Sequence, residues 1–165
     1  MRHLIPWRLR RMRDRLALWS TRFSPAPDTL RVADGEPAAC LLAVGDISLA
    51  GNVEVVANER GPACILGPVR PMLEQCDLRV GNLESVLTRE DKPNGSLGTF
   101  LKAAPRTAQV LKYGRFDAVT VANNHCLDFG VNGLLESIRV LDQHGIRHCG
   151  GGASRAAART ATPSR

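Results

Sequence analysis

The sequence predicts an α/β domain built on mostly parallel strands and preceded by a basic amphipathic helix. Three observations carry this. From Ala39 onward, short apolar runs alternate with stretches of helical spacing, the pattern of strands joined by crossover helices. The first three apolar runs each end in polar side chains, which is where open α/β sheets hold ligands. The charge is confined to one end: residues 1–23 hold seven Arg and one Asp, whereas the remainder holds 15 basic and 15 acidic residues. At 165 residues the chain fits one domain with a real core. A neutral domain in which aromatics make up 4% of the chain gives no support for nucleic-acid readout, which needs a basic face or stacking platforms.

Residues 1–23 read as a separate element. Ile5, Leu9, Met12, Leu16 and Trp19 fall on one face of a helix, and Arg8, Arg10, Arg11, Arg13 and Arg15 occupy most of the rest. Such a helix suits an anionic membrane surface; the alternative is a solvated arm. No run approaches the ~20 apolar residues that span a bilayer, and Leu16-Ala17-Leu18-Trp19 is too short for a secretory signal. The expected location is cytoplasmic, or peripheral at the membrane. Residues 24–38, rich in Pro, Asp and Ala, read as a linker.

The domain itself is expected over residues 39–153. Cys40 to Val44 reads as a buried strand closed by Gly45-Asp46. The second half of Ile65–Gln75 reads as a helix, with Pro68 and Pro71 near its start. Cys76 to Gly81 is a second strand, ending in Asn82-Leu83-Glu84, and residues 88–99 form an exposed loop. Pro105 to Tyr113 is a helix ended by Gly114. Asp117 to Ala122 is the third strand, rich in β-favouring residues. A helix follows from Val131 to His144, stopped by Gly145, and then a short fourth strand at Ile146–Cys149. Residues 154–165 read as an irregular tail. The five cysteines, Cys40, Cys64, Cys76, Cys126 and Cys149, are odd in number and lack CxxC spacing, so they read as small buried hydrophobes in a reducing compartment.

The chemistry concentrates after the third strand, where Asn123, Asn124, His125 and Asp128 arrive within six residues. The amides could cap the next helix and His125 could satisfy a turn; equally, the cluster could be a site. The strand order favours convergence. Asp46 follows strand one, Glu84 strand two and Asn123-Asn124-His125 strand three, and in a parallel sheet these ends share one edge. Carboxylates, an amide and an imidazole suit divalent Mn, Zn or Fe, and a pair of such ions can clamp a phosphate and activate water.

Three blocks also carry a resemblance: Gly45-Asp46-Ile47-Ser48-Leu49, the run from Asp77 to Asn82-Leu83-Glu84, and Ala122-Asn123-Asn124-His125-Cys126-Leu127-Asp128-Phe129-Gly130. In residues and spacing they resemble the CapA family of capsule, or poly-gamma-glutamate, biosynthesis, which is related to calcineurin-like metallophosphoesterases. His144-Gly145-Ile146 and Gly150-Gly151-Gly152-Ala153 fit as well. The Asn-Asn-His-x-x-Asp-x-Gly block is the specific one. The resemblance implies the N-terminal half of a four-layer α/β/β/α sandwich, with Asp46, Glu84 and Asn124 as metal ligands, His125 as general acid, and Asp128 orienting His125. Two departures stand out: Glu84 lies in Asn-Leu-Glu instead of Gly-Asp-x-x-Asp, and Ser48 stands where the superfamily carries a His.

Family members continue past the glycine-rich turn into further strands and two histidine motifs, so the chain reads as truncated. The sheet face meant for a second sheet is then expected to be exposed and to invite self-association. Three functions follow from this reading. The first is a metal-dependent hydrolase of capsule or poly-gamma-glutamate biosynthesis, acting on an anionic polymer or its precursor. The second is a non-catalytic, membrane-associated component of a capsule synthesis complex. The third is an inactive fragment.

Overall fold

The structure, a computed structural model, describes residues 39–95 and 98–160. The amphipathic segment at 1–23, the linker at 24–38 and the last five residues lie outside the described residues. Four strands form the main sheet: β1 (Leu41–Ile47), β2 (Leu78–Leu83), β5 (Ala118–Thr120) and β6 (Arg147–Cys149), in that spatial order and all parallel. Two short strands, β3 (Val86–Leu87) and β4 (Lys102–Ala103), make a separate parallel pair. The α/β class with parallel pairing is therefore as the sequence predicts.

Spatial order follows chain order, so crossovers of a single hand all fall on one side of the sheet. The burial pattern agrees. Val44, Ile47, Leu83, Val119 and Val121 pack into one apolar core with Leu111 of helix α4 (Gln109–Tyr113) and Leu134, Val140 and Leu141 of helix α5 (Gly130–Gln143). The opposite face carries Leu41, Ala43, Leu78, Val80, Ala118 and Thr120, all exposed or half-buried. Leu41 is 62% exposed and Leu78 39%, which is unusual for leucines in a parallel sheet, whose two faces are ordinarily covered.

Between β1 and β2 the chain forms α1 (Asn52–Arg60), α2 (Ala63–Leu66), a 3₁₀ turn (Gly67–Val69) and α3 (Arg70–Leu73). The first of these was not legible in the sequence. Its valines do not form one stripe: Val56 and Ala57 are buried while Val55 is 48% exposed. The expected helix at 105–113 begins as a 3₁₀ turn over Pro105–Ala108, because Pro105 occupies the first turn and the next residues bond back three positions. Residues 155–159, inside the stretch read as an irregular tail, form helix α6 (Arg155–Arg159). Ser154 caps it, its hydroxyl accepting from the Ala157 N–H at 3.1 Å.

One irregularity positions the site. Ala43 pairs with Val80 but Asp46 pairs with Asn82, so β1 holds one extra residue between them. In an unbroken register Asp46 would oppose Leu83 and point into the core. The bulge returns Asp46 to the open face opposite Asn82 and sends Ile47 inward beside Leu83.

At the opposite end of the sheet, Arg79 is 8% exposed and binds Asp117 from the start of β5. Its backbone N–H and its Nε both donate to Asp117 Oδ2, at 2.8 and 3.0 Å, and its guanidinium also donates to the carbonyls of Leu73 and Asp77. A buried guanidinium needs this many acceptors.

Candidate functional site

The carboxyl ends of β1, β2 and β5 are joined by a continuous chain of hydrogen bonds. Asp46 Oδ1 accepts from Asn82 Nδ2 at 2.8 Å. Asn82 Oδ1 accepts from Asn123 Nδ2 at 3.0 Å, and the same amide donates to the Leu83 carbonyl at 2.9 Å. Asn123 Oδ1 then accepts from the His125 N–H at 3.0 Å. His125 Nδ1 meets Asp128 Oδ2 at 2.9 Å, and the Leu101 N–H donates to that same oxygen at 2.7 Å. Asn82 is a bridge the sequence did not single out. In the sequence it reads only as part of the polar end of the second strand, and the pairing with Asp46 gives it a role.

The loop from Asn123 to Phe129 is a compact turn. The Asn123 side chain closes it by accepting from the N–H two residues ahead. Neither amide caps α5, which starts after Phe129 and, among the described residues, takes no side-chain cap. Phe129 is buried and packs edge-on against Phe100, with ring centroids 6.3 Å apart. The 88–99 loop is tied to the same place, since the Asn94 N–H donates to the Asp128 carbonyl at 2.7 Å.

His125 and Asp128 are the pair the geometry defines best. Their side chains are 17% and 11% exposed. An ionised carboxylate only accepts, so Nδ1 of His125 carries the shared proton and Nε2 is the nitrogen left for chemistry. The other expected residues are placed less tightly. Asp46 and Asn124 are exposed, and Glu84 is half-buried, its N–H donating to the Ile47 carbonyl at 3.0 Å. Glu84 lines a small pocket with Leu83, Ser85, Val121 and Cys126. Asn123, and not Asn124, enters the hydrogen-bond chain. Ser48, which stands at the superfamily's histidine position, lies 3.4 Å from Ser85 through their hydroxyls, and Ser85 also accepts from the Leu49 N–H at 2.7 Å.

The donors suit a hard divalent ion in type and fall short of a complete set in number. Among the described residues, no group of three or more His, Cys, Asp or Glu side chains gathers closely enough to hold a metal ion.

The parallel sheet, with polar loops at its carboxyl edge, makes this an α/β protein whose fold is consistent with a metallophosphoesterase-like architecture. A family model described as bacterial capsule synthesis protein PGA_cap matches residues 40–163, and the chain belongs to that family. The chain is 33% identical over 126 residues to the uncharacterized protein y4sH of Sinorhizobium fredii, covering 73% of this chain and 26% of that protein. It is 30% identical over 112 residues to the capsule biosynthesis protein CapA of Bacillus anthracis (66% and 27% covered). It is 29% identical over 112 residues to the PGA biosynthesis protein CapA of Bacillus subtilis (67% and 30% covered). The chain thus spans about a third or less of the length of these relatives. Among the described residues, no helix is long and apolar enough to cross a membrane.

Proposed function

We propose that this chain carries the first ligand loops of a hydrolase of capsule or poly-gamma-glutamate biosynthesis, with His125 as its acid–base group and an anionic polymer or its precursor as substrate. The observation that carries the reading is the 2.9 Å contact between His125 Nδ1 and Asp128 Oδ2 at the carboxyl edge of the sheet. Asp128 orients the imidazole through Nδ1, which leaves Nε2 to give a proton to a leaving group and take one back. The Leu101 N–H holds Asp128 in turn, so the imidazole is oriented by a carboxylate that is itself anchored. Asp46, Glu84 and Asn124 would hold a divalent ion, manganese, zinc or iron, which when bound supplies Lewis-acid polarisation of the scissile group. Asn82 positions Asp46 for that task.

The test is elemental analysis of the purified full chain beside Asp46→Ala and His125→Ala, followed by hydrolysis of a chromogenic phosphodiester and of polyglutamate. One or two equivalents of metal, lost in Asp46→Ala and retained in His125→Ala, support the ligand assignment. Hydrolysis abolished in His125→Ala and lowered roughly 10–100-fold in Asp128→Asn supports the acid–base assignment. A folded chain with no metal and no turnover refutes the hydrolase reading and leaves a binding component.

A further inference from the structure

Far from that site, at the amino ends of β1 and β2, Cys40 Sγ lies 2.8 Å from Cys76 Sγ. We infer that these two thiols form an intramolecular disulfide by exchange with a low-molecular-weight disulfide, clipping β1 to β2. The separation is only about 0.75 Å longer than the sulfur–sulfur bond itself.

The backbone on either side is already fixed. The Cys40 carbonyl accepts from the N–H groups of Asp77 and Leu78, at 2.9 and 3.0 Å. The Cys40 N–H donates to Asp77 Oδ2 at 2.7 Å. Leu41 pairs with Leu78 directly beyond. Closure therefore asks for side-chain rotation and leaves the strands where they are. The other three cysteines are not placed this way: Cys64 and Cys149 are exposed, and Cys126 belongs to the site loop.

The chemistry balances without a metal. The thiolate of half-buried Cys40 attacks one sulfur of the small disulfide, breaking its S–S bond and releasing one small thiolate. The Cys76 thiolate then attacks the Cys40 sulfur, forms the protein S–S bond and releases the second thiolate. The protein loses two S–H protons and is oxidised; the small disulfide is reduced to two thiols. Cys76 is buried, and its hydrogen bond to Cys40 and that burial together push its thiol above the ordinary range. Sequence spacing hides all of this, since 36 residues separate the two positions.

The full chain is incubated with oxidised glutathione, quenched, alkylated in denaturant and mapped by mass spectrometry. The expected result is a cross-linked pair of peptides holding Cys40 and Cys76. In a Cys64→Ser/Cys149→Ser variant, which removes only exposed thiols, the same bridge forms. It forms roughly tenfold or more faster in the folded chain than in urea, because the fold holds both sulfurs in contact. Alkylation of both Cys40 and Cys76, with glutathione carried only on Cys64 and Cys149, overturns the proposal. So does a bridge that forms no faster in the folded chain than in the unfolded one.

Discussion

Replacing Gly150 with alanine tests how the sheet supports the site loop. Gly150 follows β6 at φ +86°, a left-handed conformation that side chains resist. A Cβ there would stand 2.4 Å from the Cβ of Ala122, 3.1 Å from its nitrogen and 3.3 Å from its Cα. These neighbours are backbone and a methyl, so no flexible side chain can swing away. The left-handed conformation costs about 1–2 kcal/mol in a residue with a Cβ. Overpacking against a fixed wall adds about 1–3 kcal/mol. The expected loss of about 2–5 kcal/mol is a large part of a domain's ~5–15 kcal/mol. Urea unfolding of Gly150→Ala should show a lower midpoint at unchanged slope. Ala122→Gly in the same chain removes the 2.4 Å contact and should recover part of the loss, a coupling of about 1 kcal/mol or more. Gly45→Ala, with nothing within 4 Å of the added atom, should stay within about 0.5 kcal/mol of the parent. A Gly150→Ala chain as stable as the parent would refute the reasoning, and with it the claim that the β6 exit buttresses Ala122 directly before Asn123.

Three further outcomes are expected. Burial pushes the Glu136 carboxyl up, but the Thr88 hydroxyl and the N–H and guanidinium of Arg89 outweigh it and hold Glu136 below the usual range. Its stabilisation is therefore present above the ordinary glutamate pKa and lost as pH falls through the depressed one. Glu136→Gln should cost about 1–2 kcal/mol at pH 7, with the gap to the parent closing in urea titrations as pH falls below the ordinary glutamate range. Arg79→Ala leaves Asp117 with the backbone N–H but without its charged partner, strands the Leu73 and Asp77 carbonyls, and should cost about 2–4 kcal/mol by the same assay. The oxidised Cys40–Cys76 chain closes a loop of 36 residues and should unfold with about 4 kcal/mol more stability than the reduced one, a gain abolished in Cys76→Ser.

The sequence was most legible where one physical signal dominated. The helix read at 131–144 is observed as Gly130–Gln143, because one apolar stripe buries it against the sheet. The strands showed themselves as apolar runs with polar ends. Helix α1 did not, because its valines spread around the axis and its place is set by tertiary packing. β3 and β4, at two residues each, are too short for any periodicity to register. At the site, the pairing of His125 with Asp128 was expected only through the resemblance carried by Asn-Asn-His-x-x-Asp-x-Gly, and the two side chains lie 2.9 Å apart. The roles of Asn82 and of the Cys40–Cys76 pair had no such signal, since both depend on the pairing of β1 with β2 across 36 residues.

The bulge in β1 gives the first carboxylate an unusual kind of fragility. Its position depends on a count as much as on a residue identity: the strand must carry one more residue than its partner before position 46. Deleting Gly45 would keep Asp46 in the sequence, and a motif search would still find an aspartate after the strand. The ladder upstream of Ala43 would also stay as it is. Yet the parity of everything after the deletion would reverse relative to Asn82, leaving the chain to choose between a carboxylate aimed at leucines and a sheet slipped by one residue. For anyone grafting or aligning this loop, the gap placed within Val44-Gly45-Asp46 therefore matters as much as the aspartate itself.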